Sequence, residues 1–142
     1  MKKYLLLLVV LSVIGACGND DYNNNNKYLP NYNFSVDVDM DLPLYSQLKF
    51  PSNPVRITNA AAGINGIIVT NTGSGYAAFE ATCPNQAMTN CSVLTISGIL
   101  AKCPCDGVEY NLFTGQATTP VQYPLKAYRI QQIGANLLRI SN

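Results

Sequence analysis

The chain contains no histidine and no tryptophan among its 142 residues. Without an imidazole there is no Ser-His-Asp triad, no HExxH zinc site, no histidine general base and no His-ligated haem or cluster. Charge is also scarce. Asp, Glu, Lys and Arg make up 12% of the chain, against about a quarter in ordinary soluble domains, so Asn, Ser and Thr do much of the surface solvation. No Gly-rich phosphate loop leads from a strand into a helix, which leaves nucleotide binding without a foothold. Nine basic residues stand against eight acidic ones; once Lys2 and Lys3 are set aside as part of an export signal, seven stand against eight and the formal charge is −1. A nucleic-acid-binding surface is therefore not expected. The length holds one domain with one modest core.

What the sequence does have begins at its N-terminus. Lys2 and Lys3 precede an apolar run, Tyr4 to Val13, too short to span a bilayer but right for a signal-peptide core. The run ends in Ile14-Gly15-Ala16-Cys17. This resembles the lipobox of bacterial lipoproteins, which implies a signal peptide over residues 1–16, acylation of Cys17 and a lipid anchor in the membrane. Each buried acyl methylene contributes about 0.8 kcal/mol, so several chains on one residue hold firmly. The implied location is the bacterial cell envelope, extracytoplasmic, on the periplasmic side or at the cell surface. Paired lysines without twin arginine point to export of an unfolded chain into an oxidising compartment, where disulfides persist. Residues 17–33, with the tract Asn23 to Asn26, read as the lipidated cysteine and a flexible tether. Residues 34–142 read as the folded domain.

That domain has the marks of an all-β protein. Phe34, Val36, Val38, Met40 and Leu42 alternate with Ser35, Asp37, Asp39 and Asp41, the period of a half-buried strand. The three aspartates read as its solvated face, since no calcium loop with a closing Glu follows. Further short strands are expected at Val55 to Thr58, Gly66 to Thr70, Tyr76 to Thr82, Val93 to Ser97, Leu100 to Cys103, Val108 to Phe113, Ala127 to Gln132 and Leu137 to Ser141. Turn chemistry separates them at Gly73-Ser74-Gly75, Ser97-Gly98, Asp106-Gly107, Thr114-Gly115 and Ile133 to Asn136. Closely spaced strands without a convincing helix predict an antiparallel β-sandwich or small barrel of several short sheets. Glu80, Asp106 and Glu109 read as strand-face or turn carboxylates, because their spacing offers no acid–base pair.

Two predicted strands exit into Cys-Pro loops: Cys83-Pro84-Asn85, and Cys103-Pro104-Cys105-Asp106-Gly107. With Tyr110, Asn111, Gly115 and Tyr123-Pro124-Leu125, these loops resemble the Rieske iron–sulfur family over roughly Leu42 to Ile140. In that family Cys-x-His and Cys-Pro-Cys-His-Gly loops hold a [2Fe-2S] cluster through two Cys and two His. The cluster-equivalent positions here are Cys83, Asn85, Cys103 and Asp106. Both histidines are thus replaced, and an Asn amide is a poor iron ligand.

The resemblance further implies a disulfide between Cys91 and Cys105. It also sets Cys83 and Cys103 on facing loops, where they could pair directly. An atypical [2Fe-2S] cluster on Cys83, Cys103 and Asp106, a four-Cys cluster that adds Cys91 and Cys105, and zinc remain open alternatives. No metal or cofactor is favoured. The leading expectation is a membrane-anchored, non-enzymatic binding or envelope-structural module with disulfide-locked loops. The alternative is an electron-transfer protein with an atypical [2Fe-2S] cluster. A third reading, an accessory subunit of an envelope oxidoreductase, predicts that the loop tips, Pro84 to Asn90 and Pro104 to Gly107, dock on an envelope protein partner.

Overall fold

The computed structural model describes residues 25–58 and 61–142. The expected signal peptide, residues 1–16, and Cys17 lie outside them. Among the described residues no helix is long and apolar enough to cross a membrane.

The fold is all-β, in three antiparallel three-stranded sheets. In the first, β1 (Ser35–Asp39) pairs with β9 (Leu137–Ser141), which pairs with β8 (Arg129–Gln132). The second contains β2 (Val55–Ile57), β3 (Ile67–Asn71) and β4 (Tyr76–Glu80) in that order. The third contains β5 (Thr95–Ser97), β6 (Leu100–Lys102) and β7 (Glu109–Asn111), two successive hairpins.

The middle sheet explains the core. Every residue of β3 is buried, as expected for a strand covered on both faces, which reads as a continuous apolar run instead of an alternation. Ile67 and Val69 pack with Val36, Val38, Leu138 and Ile140 of the first sheet and with Met40 just after β1. Ile68, on the opposite face, packs with Ala101 and Tyr110 of the third and with Leu112 just after β7. The second cluster also holds Cys83 and Cys103, so the cysteine loops grow directly out of packed core.

Two expectations need correcting. The alternation of the first strand stops at Met40, and Leu42 is 50% exposed, because the chain turns there with the Leu42 amide donating to the Asp39 carbonyl at 3.2 Å. Residues 26–31, expected as part of a flexible tether, instead pack on the domain. Leu29 is only 1% exposed, the Asn26 side chain donates to the Pro84 carbonyl at 2.7 Å, and the Tyr28 ring meets Tyr123 edge-on at 6.3 Å. Lys126, itself buried, donates to the Pro30 carbonyl at 2.9 Å and to Asn31 Oδ1 at 2.6 Å. One leucine and one tyrosine supply apolar area that composition alone obscures, and the buried ammonium needs acceptors that this segment provides. A 3₁₀ turn, Ser46–Lys49, was also not expected; it buries Leu48.

Candidate functional site

The first cysteine loop runs from the end of β4 to β5. Its base is closed by Cys83 N–H donating to the Ser92 carbonyl at 2.8 Å and Leu94 N–H donating to the Ala81 carbonyl at 2.9 Å. The second loop joins β6 to β7. Cys103 N–H donates to the Val108 carbonyl at 2.8 Å, and Gly107 N–H to the Cys103 carbonyl at 2.9 Å. Gly107 takes a φ of 76°, a left-handed turn position that glycine occupies without strain.

The two loops bring their four cysteines, Cys83, Cys91, Cys103 and Cys105, together. Cys83 is bonded to Cys103 with their Cα atoms 5.6 Å apart, and Cys91 to Cys105 at 5.3 Å. The two bonds differ in exposure: Cys83 and Cys103 are fully buried, Cys105 is half-buried and Cys91 is exposed. The Sγ atoms of Cys83, Cys103 and Cys105 lie within 4.8 Å of one another, so the bonds stack in an inner and an outer layer.

Asn85 is engaged on every side. Its Nδ2 donates to Tyr110 Oη at 2.9 Å and to the Tyr123 carbonyl at 2.7 Å, while its Oδ1 accepts the Tyr123 N–H at 2.8 Å. The amide thus clamps the first loop to β7 and to the strap before Leu125. Asp106 is exposed, and its Oδ1 accepts the Val108 N–H at 2.9 Å, a local turn bond typical of aspartate. Burial pushes the Tyr110 phenol above its ordinary pKa, the Asp106 charge adds to this, and the Asn85 bond opposes it.

A second polar centre lies beneath the loops and was read from sequence as an ordinary carboxylate. Glu80 is fully buried. It accepts hydrogen bonds from Ile64 N–H at 2.7 Å, Asn65 N–H at 3.1 Å, Thr82 Oγ1 at 2.6 Å and Tyr128 Oη at 2.7 Å. Gly63 makes this possible, since a Cβ there would stand 2.7 Å from Glu80 Oε2. With four donors on its two oxygens, Glu80 tethers the loop at Ile64 and Asn65 to β4 and to Tyr128, just before β8. Its only signal in the sequence is an acid set in the apolar stretch Tyr76 to Ala81.

A cleft of about 380 Å³, bordered by Tyr76, Ala78, Phe113, Tyr128 and Ile130, opens away from the cysteines. Thr72, Ser74 and Thr114 add hydroxyls to its apolar lining, which holds no carboxylate or ammonium side chain, while Tyr128 Oη is committed to Glu80.

All-β sheets carry two loops, each beginning Cys-Pro, that converge at one end, an arrangement that resembles a Rieske-like domain. Among solved structures, the chain is similar to one titled as the complex of reduced oxygenase and oxidised ferredoxin in carbazole 1,9a-dioxygenase, with 21% identity, 75% of this chain and 92% of the other covered, and a TM-score of 0.49. It is also similar to the ferredoxin of carbazole 1,9a-dioxygenase from Nocardioides aromaticivorans, with 18% identity, 78% and 97% covered and a TM-score of 0.46. A ferredoxin from Sphingomonas yanoikuyae matches with 20% identity, 66% and 88% covered and a TM-score of 0.45. No protein-family model matches the sequence, and no curated protein matches it.

Proposed function

We propose that this chain is a cluster-free, disulfide-locked Rieske-like module, lipid-anchored through Cys17 on the extracytoplasmic side of a bacterial membrane, that binds an envelope protein at its cysteine loops. The observation that carries the reading is the state of Asn85. At a position where a cluster would require an imidazole nitrogen, both ends of the amide are committed to Tyr110 and Tyr123. Rotating that amide toward a metal would break three hydrogen bonds and leave half-buried backbone groups unpaired, at about 1–3 kcal/mol for each such group. Asp106 is held by its own turn, and the two sulfurs at the cluster positions are joined to each other. This donor set does not fit a two-Cys, two-His cluster.

The loops keep the shape of a docking tip without the ligands. Pro104, Asp106, Gly107 and Met88 are exposed there, with covalent cross-links directly beneath. Rigid loops lose little conformational entropy on association, which suits recognition.

The test uses protein purified after export from its native compartment. Metal and sulfide analysis, a visible spectrum and mass mapping of the N-terminal peptide are made on one sample. The expected result is colourless protein with two disulfides and an acylated Cys17, and release from the membrane by Cys17→Ser. Visible absorption with near-stoichiometric iron would overturn the cluster-free reading in favour of an electron carrier. An unmodified N-terminus would overturn the anchor.

A further inference from the structure

The two disulfides are stacked, one open to solvent and one sealed. The outer bond ends at exposed Cys91, and the inner bond joins two fully buried sulfurs. Cys105 belongs to the outer bond, yet its Sγ lies within 4.8 Å of both inner sulfurs. The outer pair also has hydroxyl neighbours. Thr89 Oγ1 stands 3.2 Å from Cys91 Sγ and 3.5 Å from Cys105 Sγ, and Ser92 Oγ stands 3.9 Å from Cys105 Sγ. Thr89 is positioned by its N–H, which donates to Ser92 Oγ at 2.8 Å. Hydroxyls that can donate to sulfur favour the thiolate, which is the attacking species in disulfide exchange.

We infer that the two bonds form a thiol–disulfide relay, in which the exposed Cys91–Cys105 bond is reduced by a partner dithiol and Cys105 carries the reduction inward to Cys83–Cys103. This rests on the reading that the sulfurs are bonded to one another and not to iron. In the first step a partner thiolate attacks Cys91 Sγ, the outer bond breaks, a mixed disulfide forms and Cys105 leaves as thiolate. The partner's second thiol then attacks the mixed disulfide and releases Cys91. The partner has become a disulfide, and two electrons with two protons have passed to Cys91 and Cys105.

In the second step the Cys105 thiolate attacks Cys83 Sγ. The Cys83–Cys103 bond breaks, a Cys83–Cys105 bond forms and Cys103 leaves as thiolate, which takes up the proton. Cys91 then attacks Cys105, the outer bond re-forms and Cys83 is released as a thiol. Neither exchange gains or loses electrons. The net result is an oxidised outer bond above a reduced, buried pair: reducing equivalents taken up at the surface and stored out of reach of solvent.

The test compares Cys91→Ser with Cys105→Ser in the full chain. Both lose the outer bond and its constraint, but only Cys91→Ser keeps the sulfur that lies within 4.8 Å of the inner pair. Under dithiothreitol, with timed alkylation and peptide mapping, Cys83 and Cys103 should become alkylatable about tenfold or more faster in Cys91→Ser than in Cys105→Ser, with a Cys83–Cys105 linked peptide on the way. Rates that agree within about twofold would overturn the relay. A wild-type time course decides the matter if either variant fails to fold. Outer cysteines labelled first, followed by the Cys83–Cys105 link, support the relay; all four labelled in a single step overturn it. Iron analysis of the same samples separates the two failures. Stoichiometric iron removes the cluster-free reading and the relay together, whereas iron-free protein with equal rates removes the relay alone.

Discussion

Asn85 and Tyr123 are joined by two hydrogen bonds across 38 positions of sequence, the amide nitrogen donating to the Tyr123 carbonyl at 2.7 Å and the amide oxygen accepting the Tyr123 N–H at 2.8 Å. The side chain pairs with a peptide unit much as a neighbouring strand would. Asn85→Ala leaves both backbone groups and Tyr110 Oη without these partners, and the expected cost is about 1–3 kcal/mol of unfolding free energy. Urea denaturation monitored by tyrosine fluorescence would measure it. No loss would mean that water replaces the amide, and the clamp would then have no energetic role.

Glu80 is the stronger structural dependence. Glu80→Ala strands two backbone N–H groups and two hydroxyls in a dry site, and the expected loss, about 3 kcal/mol or more, is a large share of a small domain's stability. Glu80→Gln keeps the shape but turns an NH₂ toward donors, with an expected loss of about 1–3 kcal/mol. Chemical denaturation of both variants checks the order; equal values would point to shape instead of hydrogen-bond acceptance.

Each disulfide closes a loop, the inner bond over a sequence separation of 20 and the outer over 14. In the chain-entropy account, opening either removes about 3 kcal/mol of stability. Cys91→Ser with Cys105→Ser should lose about that amount, since the outer bond is near the surface. Replacing Cys83 and Cys103 should cost more, because two hydroxyls would then occupy the core cluster. Thermal midpoints of the two double variants would rank them.

The docked N-terminal segment can be tested at Leu29. A leucine this deeply buried loses about 2–4 kcal/mol on truncation to alanine, whereas a segment that only tethered the domain would lose nothing. Amide hydrogen exchange over residues 26–33 gives a second reading, with protection expected in the wild type and lost in Leu29→Ala.

Stability should fall in alkali. Burial first, then the charge of Glu80 and the hydrogen bond to it, holds the Tyr128 phenol far above its ordinary pKa, and burial raises Tyr110. Unfolded tyrosines ionise near about pH 10. The stability these groups contribute is complete below that value and is lost as pH rises past it, since the unfolded chain gives up its protons first. Lys126 acts in the opposite sense, its pKa lowered by burial against the pull of Glu80. Tyr128→Phe should therefore flatten the alkaline limb of a stability–pH curve, and an unaltered limb would contradict the assignment. On the acid side, hydrogen bonds from Arg139 and Lys49 lower the pKa values of Asp37 and Asp41. Their contribution is present above about pH 4 and fades below it, modestly because both pairs face solvent.

The class of fold and the position of the cysteine loops were legible in the sequence because their signals are local. Alternation along Val36, Val38 and Met40, the β-branched run at Ile67 to Thr70, and glycines at 98, 107 and 115 each act within a few residues. The absence of histidine is likewise a property of composition alone. Tertiary structure decided what depends on distant partners. Three pairings of four cysteines were open to the chain, and the convergence of two hairpins selected one. A polar Asn85 became a clamp only when Tyr123 arrived, an isolated Glu80 became a hub only when residues 64, 65 and 128 closed around it, and Tyr28 and Asn31 pack on the domain because Tyr123 and Lys126 are there to receive them. Hydrogen-bond satisfaction in a buried site is a property of the closed fold, and no window along the sequence contains both partners.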